Sequence, residues 1–280
     1  MATLHLDSAS EAILSDPNFE IITTLAYSTG LPTDPRNKDT TARPVCYLLQ
    51  FGIDRLHAAA TDFSWPRVLQ ELEQENQAQT VAKKIESHMI SAFSDAASDP
   101  GRRFIVRLAF KKGGELQIMA GPRPVNQSMP MYPTSLGSTR DETISAIPVY
   151  VDYLPTSPSL FTKHKTTHRK PYSTAWARVG LDETTSPAEC DVLLHNHEGH
   201  VTGAVFRTAY FWREGAWVTP GSESGCKLGV SRRWALENAK VKEGVVLASG
   251  IEEGELVWLS SAVGGFTQGL VTLVRPKQRS

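Results

Sequence analysis

The apolar positions of this 280-residue chain follow two periods, and the change from one to the other marks out its elements. Residues 19–27 (FEIITTLAY) are apolar and β-branched, which predicts a strand. Over 46–63, apolar side chains recur at Leu48, Leu49, Ile53, Leu56, Ala60 and Phe63, close to a helical repeat. Residues 65–97, rich in Glu, Gln, Lys and Ala, predict one long helix or two short ones with a single packed face. Strands are expected at 103–110, 115–120 and 146–153, the first two joined by a turn at Lys111-Lys112-Gly113-Gly114. Beyond a Pro- and Ser-rich connector at 154–159, a helix is expected over 172–179, closed by Gly180. Short strands follow at 191–194 and 200–202, then a strand-like stretch to Phe211, a helix over 232–240 and a last core strand with its turn at 255–266. Residues 1–18 read as a loose leader ending at Asp16-Pro17. The segments 28–44 and 122–145 read as long loops, and composition does not separate a lid from a mobile insertion.

Charge gives no direction at the scale of the chain. Lys plus Arg number 29 against 30 Asp plus Glu, so no global field draws the protein to nucleic acid or to an anionic membrane. Cys46, Cys190 and Cys226 lie far apart, which argues against a disulfide framework and suits a reducing compartment. The first residues lack a basic n-region, and no apolar stretch approaches ~18 residues, so a soluble, cytoplasmic protein is expected. His195, His197, Glu198 and His200 invite a metal reading. Asn196-His197-Glu198-Gly199 between apolar strands is hairpin chemistry, however, and alternate strand positions would scatter the ligands to opposite faces. No metal is expected.

The chemistry is concentrated at 161–172, which holds three lysines, one arginine and two histidines without an acid. Most such runs are solvated basic faces. This one sits between the connector and a helix, and its order Lys165-Thr166-Thr167-X-Arg169-X-X-Tyr172 resembles the lysine segment of the fold-type IV pyridoxal-phosphate enzymes. That family, the class IV aminotransferases, includes branched-chain and D-amino-acid aminotransferases and aminodeoxychorismate lyase. The Leu48-Leu49 start and the Asp62-Phe63-Ser64-Trp65-Pro66 end of the first long helix are similar to the fungal aminodeoxychorismate lyase-like branch. The resemblance implies that Lys165 forms the Schiff base with pyridoxal 5'-phosphate, with neighbouring cations lowering its pKa. It implies that Arg55 grips the phosphate, whose charge its planar fork suits. Gly225 to Arg232 resembles the family's phosphate turn, in which Gly229 permits close approach and the Val230 and Ser231 amides open a helix. Ser260 or Ser261 would add a hydroxyl.

Four positions depart from the family pattern: Gly52 stands for a histidine, Gly203 for the glutamate that meets the ring nitrogen, Thr208 for an asparagine, and Gly264 near an expected arginine. If 201–211 is one strand, Arg207 shares the face of Gly203 and either enters the space there or turns to solvent or an acid elsewhere. Arg103 and Arg107, also four apart, would hold substrate carboxylates or form an edge-strand charge row. The resemblance implies an α/β (α+β) chain with its site in a cleft between two domains. A leader (1–18) and an N-terminal domain (19–150) precede a linker (151–163) and a C-terminal cofactor domain (164–280). It further implies a homodimer and a small amine or amino-acid substrate. The reaction that the resemblance implies is a lyase's, releasing pyruvate and 4-aminobenzoate. The alternatives are an aminotransferase acting on a D-amino acid, branched-chain amino acid or amine, and a family member that binds the cofactor without turnover.

Overall fold

The computed structural model describes residues 8–36, 45–123 and 130–274. In chain order the elements are α1 (Ser8–Ser15), β1 (Ile21–Tyr27), α2 (Leu49–Asp62), α3 (Pro66–Leu72), α4 (Gln77–Phe93), β2 (Arg103–Phe110), β3 (Leu116–Arg123) and β4 (Ile147–Val151). There follow α5 (Leu160–Lys163), α6 (Lys170–Arg178), β5 (Asp191–His195), β6 (Val201–Ala204), β7 (Thr208–Arg213), β8 (Ala216–Pro220), α7 (Val230–Asn238), β9 (Val241–Gly244), β10 (Leu256–Ser261) and β11 (Gly265–Leu273).

The first sheet is antiparallel, ordered β1-β2-β3. Alternation along β2 decides its faces: Phe104, Val106 and Leu108 are buried with Leu56, Ile85 and Met89, whereas Arg103, Ile105 and Arg107 take the opposite side. Each large apolar side chain fully buried in this way contributes ~1.5–3 kcal/mol. The helix expected over 46–63 forms as α2, and the Glu- and Lys-rich stretch divides into α3 and α4. Part of the expected leader is the short helix α1.

The second sheet is mixed and eight-stranded, ordered β6-β5-β4-β11-β10-β7-β8-β9. β4, the last strand of the sequence range 19–150, runs parallel between β11 and β5 in this larger sheet rather than joining β1–β3. The chain thus changes sheets before residue 147. A third body of apolar side chains joins the two parts: Tyr47 just before α2 and Phe51 within it pack with Val230 and Trp234 of α7 and with Tyr210 and Phe266 of the larger sheet. The Arg233–Asp54 ion pair (2.5 Å) ties the first turn of α7 to α2 next to Arg55.

The connector is pinned between these parts. Phe161 packs edge-on to Phe19 and tilted against Phe63, both with ring centroids 5.7 Å away. The Ile22 amide donates to the Lys165 carbonyl at 2.9 Å, and the Thr167 amide donates to the Glu20 carbonyl at 3.0 Å. On the other side, the Leu228 amide donates to the Lys163 carbonyl at 3.3 Å. Residues 163–167 therefore lie between β1 and the turn that leads into α7, and this is what builds the site.

Candidate functional site

Of the three lysines in the basic run, Lys165 alone faces inward without a partner. Lys163 and His164 both bind the Asp62 carboxylate, at 2.6 and 2.7 Å, and Lys170 is exposed at the start of α6. Half-buried Lys165 has no hydrogen bond from its amine among the described residues. Burial first, then the charges of Arg55, Arg169 and Arg107, bring its pKa down from 10.5 to about 7. The depression expected from the local run thus comes from burial, from Arg55 and Arg107 of other segments and from the run's own Arg169, while its Lys163 and His164 are engaged by Asp62.

Arg55, from the middle of α2, is the second unpaired cation. Its Nε and Nη2 are shut off from solvent and have no hydrogen-bond partner. Burial lowers its pKa to about 10. A guanidinium buried without a carboxylate is costly, and in a folded protein it marks a place made for an anion. The first turn of α7 lies beside it. Gly229 is the residue before that helix, and a Cβ there would come within 2.8 Å of Thr208 Oγ1, so glycine is required for the close approach. The amides of Val230 and Ser231 open the helix. Ser260 donates from its hydroxyl to Ser231 Oγ at 2.9 Å, and Tyr210 lies 2.6 Å from Ser260 on the far side. That relay leaves the Ser231 proton free to donate to an anion. Ser261 belongs elsewhere: its Oγ accepts from the Gly264 amide at 3.1 Å in the β10–β11 turn. These residues fit a phosphate and an aldehyde.

The structure shows what surrounds the departures from the family pattern. At Gly52 a Cβ would sit 3.4 Å from the Thr23 side chain, where α2 lies against β1. At Gly264 the guanidinium of Arg123 from β3 is already in place, donating to the Val263 carbonyl. Arg123 supplies an arginine at that turn from a strand distant in sequence, which motif reading does not reach.

The strand-face expectation for Arg207 does not hold. The stretch 201–211 is not one strand: β6 stops at Ala204, residues 205–207 bend, and β7 starts at Thr208. Arg207 pairs with the fully buried Asp191 at 3.0 Å and donates to the Pro187 carbonyl at 2.6 Å. Asp191 holds the bend by accepting from the amides of Val192 and Phe206. Gly203 itself has φ +124°, a conformation that disfavours any side chain. Small cavities of about 10 Å³ flank Gly203 on either side, and Lys227 lines both.

Lys227 occupies a variable position of the Gly225–Arg232 motif. Its Nζ donates to the carbonyls of Ala204 (3.3 Å) and Val205 (3.2 Å) and lies 4.8 Å from the Tyr172 ring centroid. Arg169 lies over the Tyr172 and Phe206 rings, at 4.9 and 5.0 Å. Tyr172 donates to the Thr162 carbonyl at 2.9 Å. The site therefore gathers Lys165, Lys227, Arg55 and Arg169, while the one acid exerting a field on Lys227, Asp191, is engaged by Arg207.

The other candidates are dispersed. Arg107 pairs with Glu20 at 3.1 Å, and Arg103 has no acid partner among the described residues. His197 meets Ser157, His200 meets Glu198 and His195 meets the Asn196 carbonyl. No set of three metal-ligating side chains converges among the described residues. Part of each long loop, 37–44 and 124–129, lies outside the described residues. In the described part of the first, Arg36 lies 4.5 Å from the Trp234 ring centroid.

Comparison with known proteins agrees with this geometry. A candidate aminodeoxychorismate lyase of Schizosaccharomyces pombe is 31% identical over 166 residues, covering 54% of this chain and 70% of that protein. The aminodeoxychorismate lyase of Saccharomyces cerevisiae is 28% identical over 191 residues, 59% of this chain and 51% of that protein, so the match spans about half of its length. Among solved structures, the branched-chain amino acid aminotransferase of Escherichia coli superposes with a TM-score of 0.58 at 11% identity, covering 99% of this chain and 83% of that one. The 4-amino-4-deoxychorismate lyase of Pseudomonas aeruginosa gives 0.55 at 15% identity, covering 93% and 86%. These two establish the fold, which is that of the fold-type IV enzymes. The family model described as amino-transferase class IV matches residues 43–270, and the chain belongs to the class IV aminotransferase family.

Proposed function

We propose that the protein is a pyridoxal-phosphate-dependent lyase that releases pyruvate from an aminodeoxychorismate-like substrate. One observation carries the reading: an unpartnered, depressed lysine amine, Lys165, electrostatically coupled to the unpaired buried guanidinium of Arg55. Arg55, the Val230 and Ser231 amides and the Ser231 hydroxyl would hold the phosphate, with Gly229 permitting the approach. Bound pyridoxal phosphate supplies an aldehyde that captures amines and a conjugated ring that delocalises electrons. Lys165 is the group that would hold the aldehyde, and its Nζ would move a proton as acid and base. The cationic lining suits a substrate bearing carboxylates, and Arg103, without an acid partner among the described residues, stands on the face of the first sheet opposite α2 and α4. No carboxylate stands at Gly203 to keep a ring nitrogen protonated. This favours a substrate that takes up developing charge itself, as an aromatising one does.

The same lack of a carboxylate favours a second reading, cofactor binding without turnover. A homodimer and a cytoplasmic location belong to the proposal; three buried free cysteines suit a reducing compartment. Borohydride treatment of the protein with pyridoxal phosphate should fix the cofactor on Lys165. Supplied with aminodeoxychorismate, the protein should form 4-aminobenzoate and pyruvate in equal amounts. Cofactor on Lys163 or Lys170, or none at all, overturns the reading. Cofactor on Lys165 with neither product leaves the binding protein.

A further inference from the structure

Strand pairing sets two arginines against each other in the first sheet. Arg103 of β2 and Arg123 of β3 are direct cross-strand partners, and like charges in that register repel. Both are half-buried, and neither has an acid partner among the described residues. Arg123 donates to the Val263 carbonyl of the β10–β11 turn. Gly264 keeps that place open, since a Cβ there would lie 3.0 Å from Arg123 Nη2. Burial first, then the charges of Arg207 and Arg103, lower the Arg123 pKa, and Arg207 is already engaged by Asp191. Arg107, on the same face of β2, differs because Glu20 pairs with it at 3.1 Å. Two facing guanidinium groups without a counter-charge are stabilised by an anion, and their planar forks suit a carboxylate.

The edge of β1 relates this pair to Lys165. The Ile22 amide donates to the Lys165 carbonyl, and the Ala26 amide donates to the Ala262 carbonyl of the β10–β11 turn, both at 2.9 Å. Four strand residues separate the two contacts, which is ~13 Å. Between them the sheet face is apolar and open: Ile105 and Met119, on the side away from α2 and α4, are both exposed. The charge of Arg107 acts on Lys165, so this face turns toward the site.

We propose that Arg103 and Arg123 form a carboxylate-binding pair that holds the end of the substrate remote from its amine, with Ile105 and Met119 against the apolar body between. The inference deepens the proposed function and rests on its assignment of the reacting end to Lys165. It selects a class of substrate: an amine on a ring or an extended apolar frame, with a carboxylate at the far end. An α-amino acid carries its amine and α-carboxylate on one carbon, so that carboxylate does not span from Lys165 to the pair.

The test compares two probes of one shape, 4-aminobenzoate and 4-aminobenzamide, by calorimetric titration of the full chain. The protein is saturated with pyridoxal phosphate, or with inorganic phosphate if it retains no cofactor, so that Arg55 is occupied and does not compete for the probe. The parent should bind the acid about tenfold or more tightly than the amide. Arg123→Gln and Arg103→Gln should each weaken the acid about tenfold and leave the amide unchanged, so the preference collapses in both. General damage to the fold would weaken the two probes together. Equal binding of acid and amide by the parent, no binding of the acid, or a preference that survives either substitution overturns the proposal. Should Arg123→Gln not fold, the parent and Arg103→Gln decide. Borohydride fixation on Lys165 is read separately and should be the same in parent and variants. Its absence overturns the proposed function, whereas fixation without an acid preference overturns the carboxylate pair alone.

Discussion

Arg55 shows what a single residue can declare about a ligand. A buried guanidinium with two unpartnered nitrogens costs stability in the ligand-free chain, and that cost is returned when an anion binds. Arg55→Met should therefore have opposite effects in two measurements. Without ligand the variant should melt higher than the parent, by the equivalent of ~1 kcal/mol or more. With pyridoxal phosphate its affinity should fall by roughly 3–5 kcal/mol. Equal cofactor retention through dialysis in the two proteins would refute the role. Arg55 and Lys165 were legible from sequence because each sits in a motif whose spacing survives without the structure. Lys227 and Arg123 were not. Lys227 stands at a variable position of its motif, and Arg123 meets the β10–β11 turn only through the fold, from a strand distant in sequence.

At the scale of elements, patterning located α2, β1, β2 and the start of α7 within a few residues, because each buries one face. It missed β11, whose sequence GFTQGLVTL breaks the alternation with glycine. Gly269 explains why: a Cβ there would lie 2.4 Å from a Val149 methyl, so β4 and β11 run too close for a side chain. The break between β6 and β7 was missed for a similar reason. An apolar run looks like one strand, and only the buried Asp191 reveals the bend. Asp191 joins Arg207 and two amides, so its removal strands a buried guanidinium and two donors. Asp191→Ala should destabilise by roughly 3–5 kcal/mol, whereas an exposed pair such as Arg140–Glu142 should contribute ~0–1. Urea unfolding compares them, and similar losses would deny Asp191 its structural role. Reintroducing an acid at Gly203 is a poor test of function, because φ +124° opposes any side chain there.

Across the whole molecule, the site concentrates positive charge in a chain that is nearly neutral overall, with a net charge of −1. This has a consequence for stability against pH. Lys165 binds a proton up to about pH 7 when folded and up to about 10.5 when unfolded. Between those values the unfolded chain carries more protons, so folding becomes more favourable as pH rises. Below about 7 both states are protonated and the contribution of this group is flat. Lys227, shifted in the same direction, adds to the trend. The ligand-free protein should accordingly gain melting temperature from pH 7 to 8.5 relative to a variant carrying Lys165→Met and Lys227→Met. Inorganic phosphate should raise the melting temperature of the parent by mass action, by ~2.7 kcal/mol at a hundred times its dissociation constant. It should also flatten the pH trend, because a bound anion favours the charged lysines and raises their folded-state pKa values. Chloride at matched ionic strength controls for screening. A parent whose melting temperature tracks the double variant across this range, with and without phosphate, would mean that the cations are solvated and the site is not built for an anion.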